Sequence, residues 1–227
     1  MSKRWIEYFE KTVKDKTILE YAVEHCIFNA QLYYQIRKIV SPPSRILEIG
    51  CGYGLSSIYL QEYGYNVTAI DNDMQIINLA KKSVETLSAN LVIEQADAFD
   101  LQRYYGIFDL CFSVGVIEHF DKEITIKLLQ EQAKCAKYVI AVIPSKYTKY
   151  TGEITDERIY NIRQFKQICK EAGLIDISAF GYGDIPTWLH TFIRYCLPFG
   201  VYRILQNYFS YAMGLGCVGK SVAFKQQ

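Results

Sequence analysis

The sequence predicts an α/β protein: a largely parallel sheet with helices packed on both faces. Three observations predict it. Short β-branched runs alternate with amphipathic stretches along most of the chain. The 227 residues are 50% hydrophobic and 22% charged, enough for one buried core with additions. The first apolar run leads straight into a cluster of glycines, Gly50-Cys51-Gly52-Tyr53-Gly54.

The elements follow in order. Residues 3–40 carry helical spacing, with Ile18, Tyr21, Ala22, Cys26, Ile27 and Ala30 on one face, continued by Tyr33, Tyr34 and Ile36. Ser41-Pro42-Pro43-Ser44 ends that helical region, because proline lacks the donor and restricts the residue before it. Residues 1–43 are therefore expected as a helical cap or lid over a core of residues 44–227. Within the core, strands are expected at 45–50, 66–71, 90–96, 108–113, 138–143, 174–180 and 219–225. Helices are expected at 55–63, 74–87, 122–136 and 161–172, the last stopped by Gly173. No crossover helix of ordinary sequence separates the final two strands, so they are expected to pair antiparallel around an aromatic-rich insertion, residues 185–218.

Composition excludes several classes. Lys plus Arg is 25 against 24 Asp plus Glu, a net charge of +1, which leaves no basic stripe for nucleic acid. The seven cysteines are scattered without a CxxC pair and only three histidines accompany them, a poor inventory for structural zinc. No apolar signal core follows the first basic residues, so a cytoplasmic protein with reduced thiols is expected.

The glycine cluster narrows the chemistry. In a doubly wound sheet ligands bind at the carboxyl ends of the strands, and glycines there let backbone approach them closely. The second strand ends in Asp71, whose carboxylate can accept from both hydroxyls of a ribose. A dinucleotide fingerprint needs its third glycine where this chain has Leu55, and the phosphate-binding loop G-x-x-x-x-G-K-[ST] has no counterpart after a strand. Glu48-Ile49-Gly50-Cys51-Gly52-Tyr53-Gly54 is instead a G-x-G-x-G turn preceded by an acid.

These residues resemble the class I S-adenosylmethionine-dependent methyltransferases. The E-I-G-C-G-Y-G run is similar to their first motif and the strand ending in Asp71 to their second. Glu94-Gln95-Ala96-Asp97-Ala98-Phe99 resembles the adenine loop, and Phe108–Ser113 with Gly115–Phe120 the motif of the fourth strand. The resemblance covers roughly residues 44–180 and implies a Rossmann-like sheet of seven strands, mostly parallel, the last antiparallel. It implies that Gly50, Gly52 and Gly54 shape the loop under the methionine portion of the cofactor, S-adenosylmethionine, with Glu48 near its amino group. Asp71 would hold the ribose, bordered by Asn72 and Met74. Asp97 would accept from the adenine amine, with Ala98 and Phe99 lining the ring and Ser113 offering backbone contact. The competing role for Asp97 is a helix cap.

His119, just past the fourth strand, is the candidate general base, with Glu118 beside it. The acceptor follows by elimination. Ser113-Val114-Gly115-Val116 is not the Pro-Pro-aromatic motif of enzymes that methylate base amines. Strand five ends in Ile143-Pro144-Ser145, without the carboxylate of metal-dependent relatives, so no metal is expected. Only one of the two glutamates of arginine methyltransferases is present. A small-molecule acceptor remains, lipid-like ones included. Tyr21, Tyr33, Tyr34 and Trp188 are the candidate lid residues. The insertion, rich in Trp, Tyr and Phe and interrupted by arginines and Pro198, is too broken to span a membrane. It suits a substrate lid, self-association or peripheral membrane contact. The sequence thus predicts methyl transfer to an oxygen or nitrogen of a small molecule. A methyltransferase-like binding module and, on weaker grounds, a nicotinamide-dependent oxidoreductase are the alternatives.

Overall fold

A computed structural model of the chain describes residues 7, 11, 13–148 and 157–225. Helix α1 (Ile18–Phe28) starts at Thr17, whose side chain accepts from the Glu20 amide while Glu20 reaches back to the Thr17 amide, a capping box. The helical region does not run on unbroken. Asn29 ends α1, its side-chain amide donating to the His25 carbonyl at 3.0 Å, and α2 (Ala30–Ile39) begins immediately after it. Val40 then turns extended ahead of the two prolines.

The alternation predicted from sequence follows: β1 (Arg45–Ile49), α3 (Leu55–Glu62), β2 (Asn66–Asp71), α4 (Met74–Thr86), β3 (Val92–Gln95), β4 (Phe108–Val114), α5 (Lys122–Cys135), β5 (Ala136–Pro144), α6 (Ile162–Glu171) and β6 (Leu174–Tyr182). Two helices the sequence reading leaves unassigned, α7 (Trp188–Cys196) and α8 (Phe199–Phe209), lead to β7 (Gly214–Ser221). The seven strands form one sheet in the order β3-β2-β1-β4-β5-β7-β6, and β7 runs antiparallel to both neighbours.

The last strand starts five residues earlier than expected, in a glycine-rich run that strand propensity disfavours. Space explains the glycines. A Cβ on Gly216 would stand 2.1 Å from Phe180 Cζ, and one on Gly214 2.0 Å from Tyr182 Cε1. The bare backbone of β7 leaves room for the aromatic rings of β6.

The sheet is buried on both faces. On one, Leu32, Tyr33 and Ile36 of α2 and Leu60 of α3 pack on Ile46, Val67, Phe112, Ile140 and Phe180. On the other, Leu128 and Leu129 of α5 and Phe165 and Ile168 of α6 pack on Val139, Ala141, Leu174 and Leu215. The inner face of α2 is therefore part of the core. Among the described residues no helix is long and apolar enough to cross a membrane.

Candidate functional site

Parallel register brings the carboxyl ends of three strands level: Ile49 pairs with Ile70 on one side and with Ser113 on the other. The chain past β1 is then tied across to β2, since the amides of Gly50 and Cys51 both donate to the Ile70 carbonyl, at 2.9 and 3.1 Å. The Ala96 amide donates to the Asp71 carbonyl at 2.9 Å and the Gly115 amide to the Val142 carbonyl at 3.1 Å. Four loops consequently converge on one edge of the sheet and enclose a cleft, as expected where the order of strands reverses.

Gly50, Gly52, Asp71, Asn72, Asp97, Ala98, Phe99 and His119 all line that cleft. Gly50 has a φ of +72°, and a Cβ there would meet Val116 Cγ2 at 2.4 Å, so the turn and the close approach both demand glycine. Asp71 sits at the strand end with Oδ1 accepting from the Asp73 amide at 3.1 Å. Burial raises its carboxyl above the ordinary range, opposed by backbone amides of Asp73, Gly52 and Asn72. Asp97 lines the cleft, and its Oδ1 accepts from the Phe99 amide at 2.9 Å, closing a local turn rather than capping a helix. Phe99 and Phe120 meet edge to face at 5.6 Å beside it.

Other expected residues are not part of the lining. Glu48 is buried below the glycine turn and accepts from Ser57 Oγ of α3; burial, with the Asp71 charge, pushes its carboxyl up to about 8. Gly54 is the left-handed N-cap of α3, Met74 is exposed on α4, and the Ser113 side chain turns away to Gln132 of α5. Nine further residues line the cleft, among them Val116 and Ile49 from the quoted motifs, and Asp73 and Ile76, which the sequence reading does not single out. Asp73 caps α4 through Oδ1, and its buried Oδ2 has no hydrogen-bond partner, an acceptor at the cleft wall.

The lid candidates separate. Tyr21 packs edge to face on Tyr53 of the glycine turn at 5.7 Å. Tyr33 belongs to the core instead: its ring stacks on Tyr59 at 4.2 Å and its hydroxyl lies 3.2 Å from Ser56 Oγ. Tyr34 and Trp188 are exposed, the latter on α7.

His119 is nearly buried at the cleft wall, its Nε2 4.0 Å from Glu118 Oε1. Glu157 joins them, so that one ligand-type atom from each of the three lies within 4.8 Å of the others. Glu157 stands outside the sequence expectation because nothing local links it to His119. Such a set can hold a histidine between carboxylates and has the chemistry to hold a divalent cation.

The donor set fits a nucleoside-bearing sulfonium. Carboxylates at Asp71 and Asp73 suit hydroxyls, the glycine cradle admits a chain against backbone, and no lysine stands among the lining residues to claim a phosphate. Insertion of β7 between β5 and β6 also departs from the dinucleotide-binding strand order.

Comparison with known proteins agrees. Residues 46–138 match the family model described as a methyltransferase domain. Ribosomal protein L11 methyltransferase of Thermotoga neapolitana is 29% identical over 97 residues, 42% of this chain and 34% of that protein. The chain thus spans about a third of the length of these L11 relatives. A ubiquinone biosynthesis O-methyltransferase of Rickettsia bellii is 26% identical over 223 residues, 91% of this chain and 81% of that protein. The fold is shared with magnesium protoporphyrin IX methyltransferase of Synechocystis with bound S-adenosylhomocysteine: TM-score 0.61, 16% identity, covering 90% of this chain and 85% of that one. Solved structures that share this fold hold S-adenosylmethionine or S-adenosylhomocysteine. The family model over residues 46–138, the sheet order and the cleft together support a class I S-adenosylmethionine-dependent methyltransferase.

Proposed function

We propose that the chain transfers a methyl group from S-adenosylmethionine to an oxygen or nitrogen of a small apolar acceptor. One observation carries the reading: the residues suited to ribose, adenine and proton transfer meet on a single cleft lining, with His119 at its wall. The relatives from Rickettsia that match over nine-tenths of the chain are O-methyltransferases by name, which favours oxygen.

When bound, the cofactor supplies a methyl group on a sulfonium, a leaving group that needs no protein acid. The chain's own residues then have three tasks. Asp71 and Asp97 bind and orient the nucleoside. Phe99, Val116 and Phe120 exclude water from the cleft, which strengthens every polar contact inside it. His119 takes the proton of an acceptor hydroxyl, positioned by the adjacent Glu118. The test is calorimetric titration with S-adenosylhomocysteine, beside NAD, followed by a screen of apolar alcohols, phenols and amines for methylated product. Binding with turnover of an apolar acceptor supports the reading; binding without any turnover favours a binding module, and binding of NAD instead refutes it.

A further inference from the structure

We infer that the α7–α8 hairpin docks the protein on a lipid surface. The hairpin is inside-out for a pair of helices in water, where apolar side chains belong inside. Its buried side chains are polar: His190 on α7, Tyr202 and Gln206 on α8. They form a connected set. Tyr202 donates to Asp184 Oδ1 at 2.9 Å and accepts from His190 Nε2 at 2.9 Å and from Gln206 Nε2 at 3.0 Å. Arg203 closes the set on Gln206 Oε1 at 2.6 Å, and Arg194 pairs with Asp184.

The outer face is apolar. Trp188, Tyr195 and Phe199 are 81%, 80% and 78% exposed, joined by Phe192, Tyr208 and Phe209. At roughly 200 Å² per aromatic side chain these six expose on the order of 900 Å². The largest apolar patch of an ordinary monomer is about 300–600 Å². Three features select lipid as the occupant. Phe192 and Tyr195 before the Leu197-Pro198 turn and Phe199 after it are separately exposed side chains, and a fluid medium closes around such side chains where a second rigid copy leaves gaps. Trp and Tyr are the residues that favour the boundary between headgroups and acyl chains. No acidic residue occurs from Ile185 to the last residue, Gln227, while Arg194, Arg203, Lys220 and Lys225 do, so nothing in that stretch repels anionic headgroups.

Topology gives docking a consequence. The hairpin leaves the sheet at Tyr182 and returns at Gly214, which pairs with Pro144 at the carboxyl end of β5. It therefore stands on the edge at which the cleft opens, and a docked protein turns that edge toward the lipid. Docking rests on the hairpin alone; only the delivery of an apolar acceptor rests on the methyl-transfer reading.

The test uses the full chain with Trp5→Phe, which leaves Trp188 as its single tryptophan. Vesicles of phosphatidylcholine, and of phosphatidylcholine with phosphatidylglycerol, are added and sedimented. Expected are co-sedimentation with both, a blue shift of Trp188 emission, and quenching by brominated acyl chains. The variant Trp188→Ser/Tyr195→Ser/Phe199→Ser, tested with both vesicle types, is expected to lose roughly tenfold or more of the partitioning while still binding S-adenosylhomocysteine. Absence of sedimentation overturns the proposal, as does sedimentation with Trp188 emission unmoved. A concentration-dependent dimer that the triple variant abolishes, without vesicle binding, also overturns it and assigns the face to a second copy. Failure of the methyl-transfer reading shows separately, as absent S-adenosylhomocysteine binding with docking intact.

Discussion

Gly50→Ala is the substitution whose cost the structure lets one work out part by part. The residue holds φ at +72°, a left-handed conformation that costs a side-chain-bearing residue roughly 1–2 kcal/mol. Its new Cβ would stand 2.4 Å from Val116 Cγ2, more than an ångström inside the ordinary carbon contact of about 3.5–4.0 Å. Overpacking of that kind costs about 1–3 kcal/mol. The single variant is therefore expected to lose about 2–5 kcal/mol of stability. Val116→Ala separates the two parts, because it removes Cγ2 and leaves Val116 Cβ, 3.7 Å away, as the nearest atom of that side chain. The double variant should keep the backbone cost and recover the steric one, a favourable coupling of about 1–3 kcal/mol in a double-mutant cycle. Urea unfolding of the parent, both single variants and the double variant measures it. Additive effects, or a Gly50→Ala protein as stable as its parent, would refute the reasoning. Because both residues line the cleft, S-adenosylhomocysteine affinity should follow the same order.

Asp71→Ala should weaken S-adenosylhomocysteine binding by roughly 10- to 1,000-fold, the loss of one or two charge-assisted hydrogen bonds to ribose. Calorimetry at an unchanged unfolding midpoint checks this, and unaltered affinity would remove Asp71 from the ribose site. Glu48 ionises near 4.5 when unfolded and at about 8 when buried in the fold. The folded state therefore holds the extra proton between those values, and stability falls as pH rises through that window, then levels off above it. The slope from this one group approaches about 1.4 kcal/mol per pH unit. Glu48→Gln should flatten that part of the profile; parallel profiles for parent and variant would sink the assignment. His119→Ala is expected to lower kcat by about 10²–10⁴ on a hydroxyl acceptor while S-adenosylhomocysteine binding persists. Undiminished kcat would leave the histidine a structural wall of the cleft.

Much of the fold is legible in the sequence because its signals are local. The Gly173 stop, the Ser-Pro-Pro-Ser break and the β-branched runs each act through a few neighbouring residues. The glycine turn is legible for the same reason: a left-handed φ at Gly50 admits little else. Asp71 follows because a strand of known direction must end somewhere, and it ends in a carboxylate. The expectation fails where the deciding neighbour is remote. Gly214 and Gly216 read as breakers until Phe180 and Tyr182 are seen to fill their space. Tyr33 reads as a lid residue until its ring is found stacked on Tyr59. Asn29, lying within an otherwise helical pattern, becomes a cap only because its side chain bonds back to the His25 carbonyl.

By itself the sequence determined the α/β class, the order of most elements and the chemistry offered at each strand end. These depend on hydrophobic period, caps and permitted φ, all properties of short segments. Tertiary structure alone decided who faces whom. It set Val116 against Gly50, brought Glu157 to His119, sent Glu48 below the cleft lining and turned the polar side of the α7–α8 hairpin inward. Those outcomes depend on strand register and on how distant segments cross. A one-residue slip would reverse which side chains of a strand meet the core, a matter of packing that no single segment encodes.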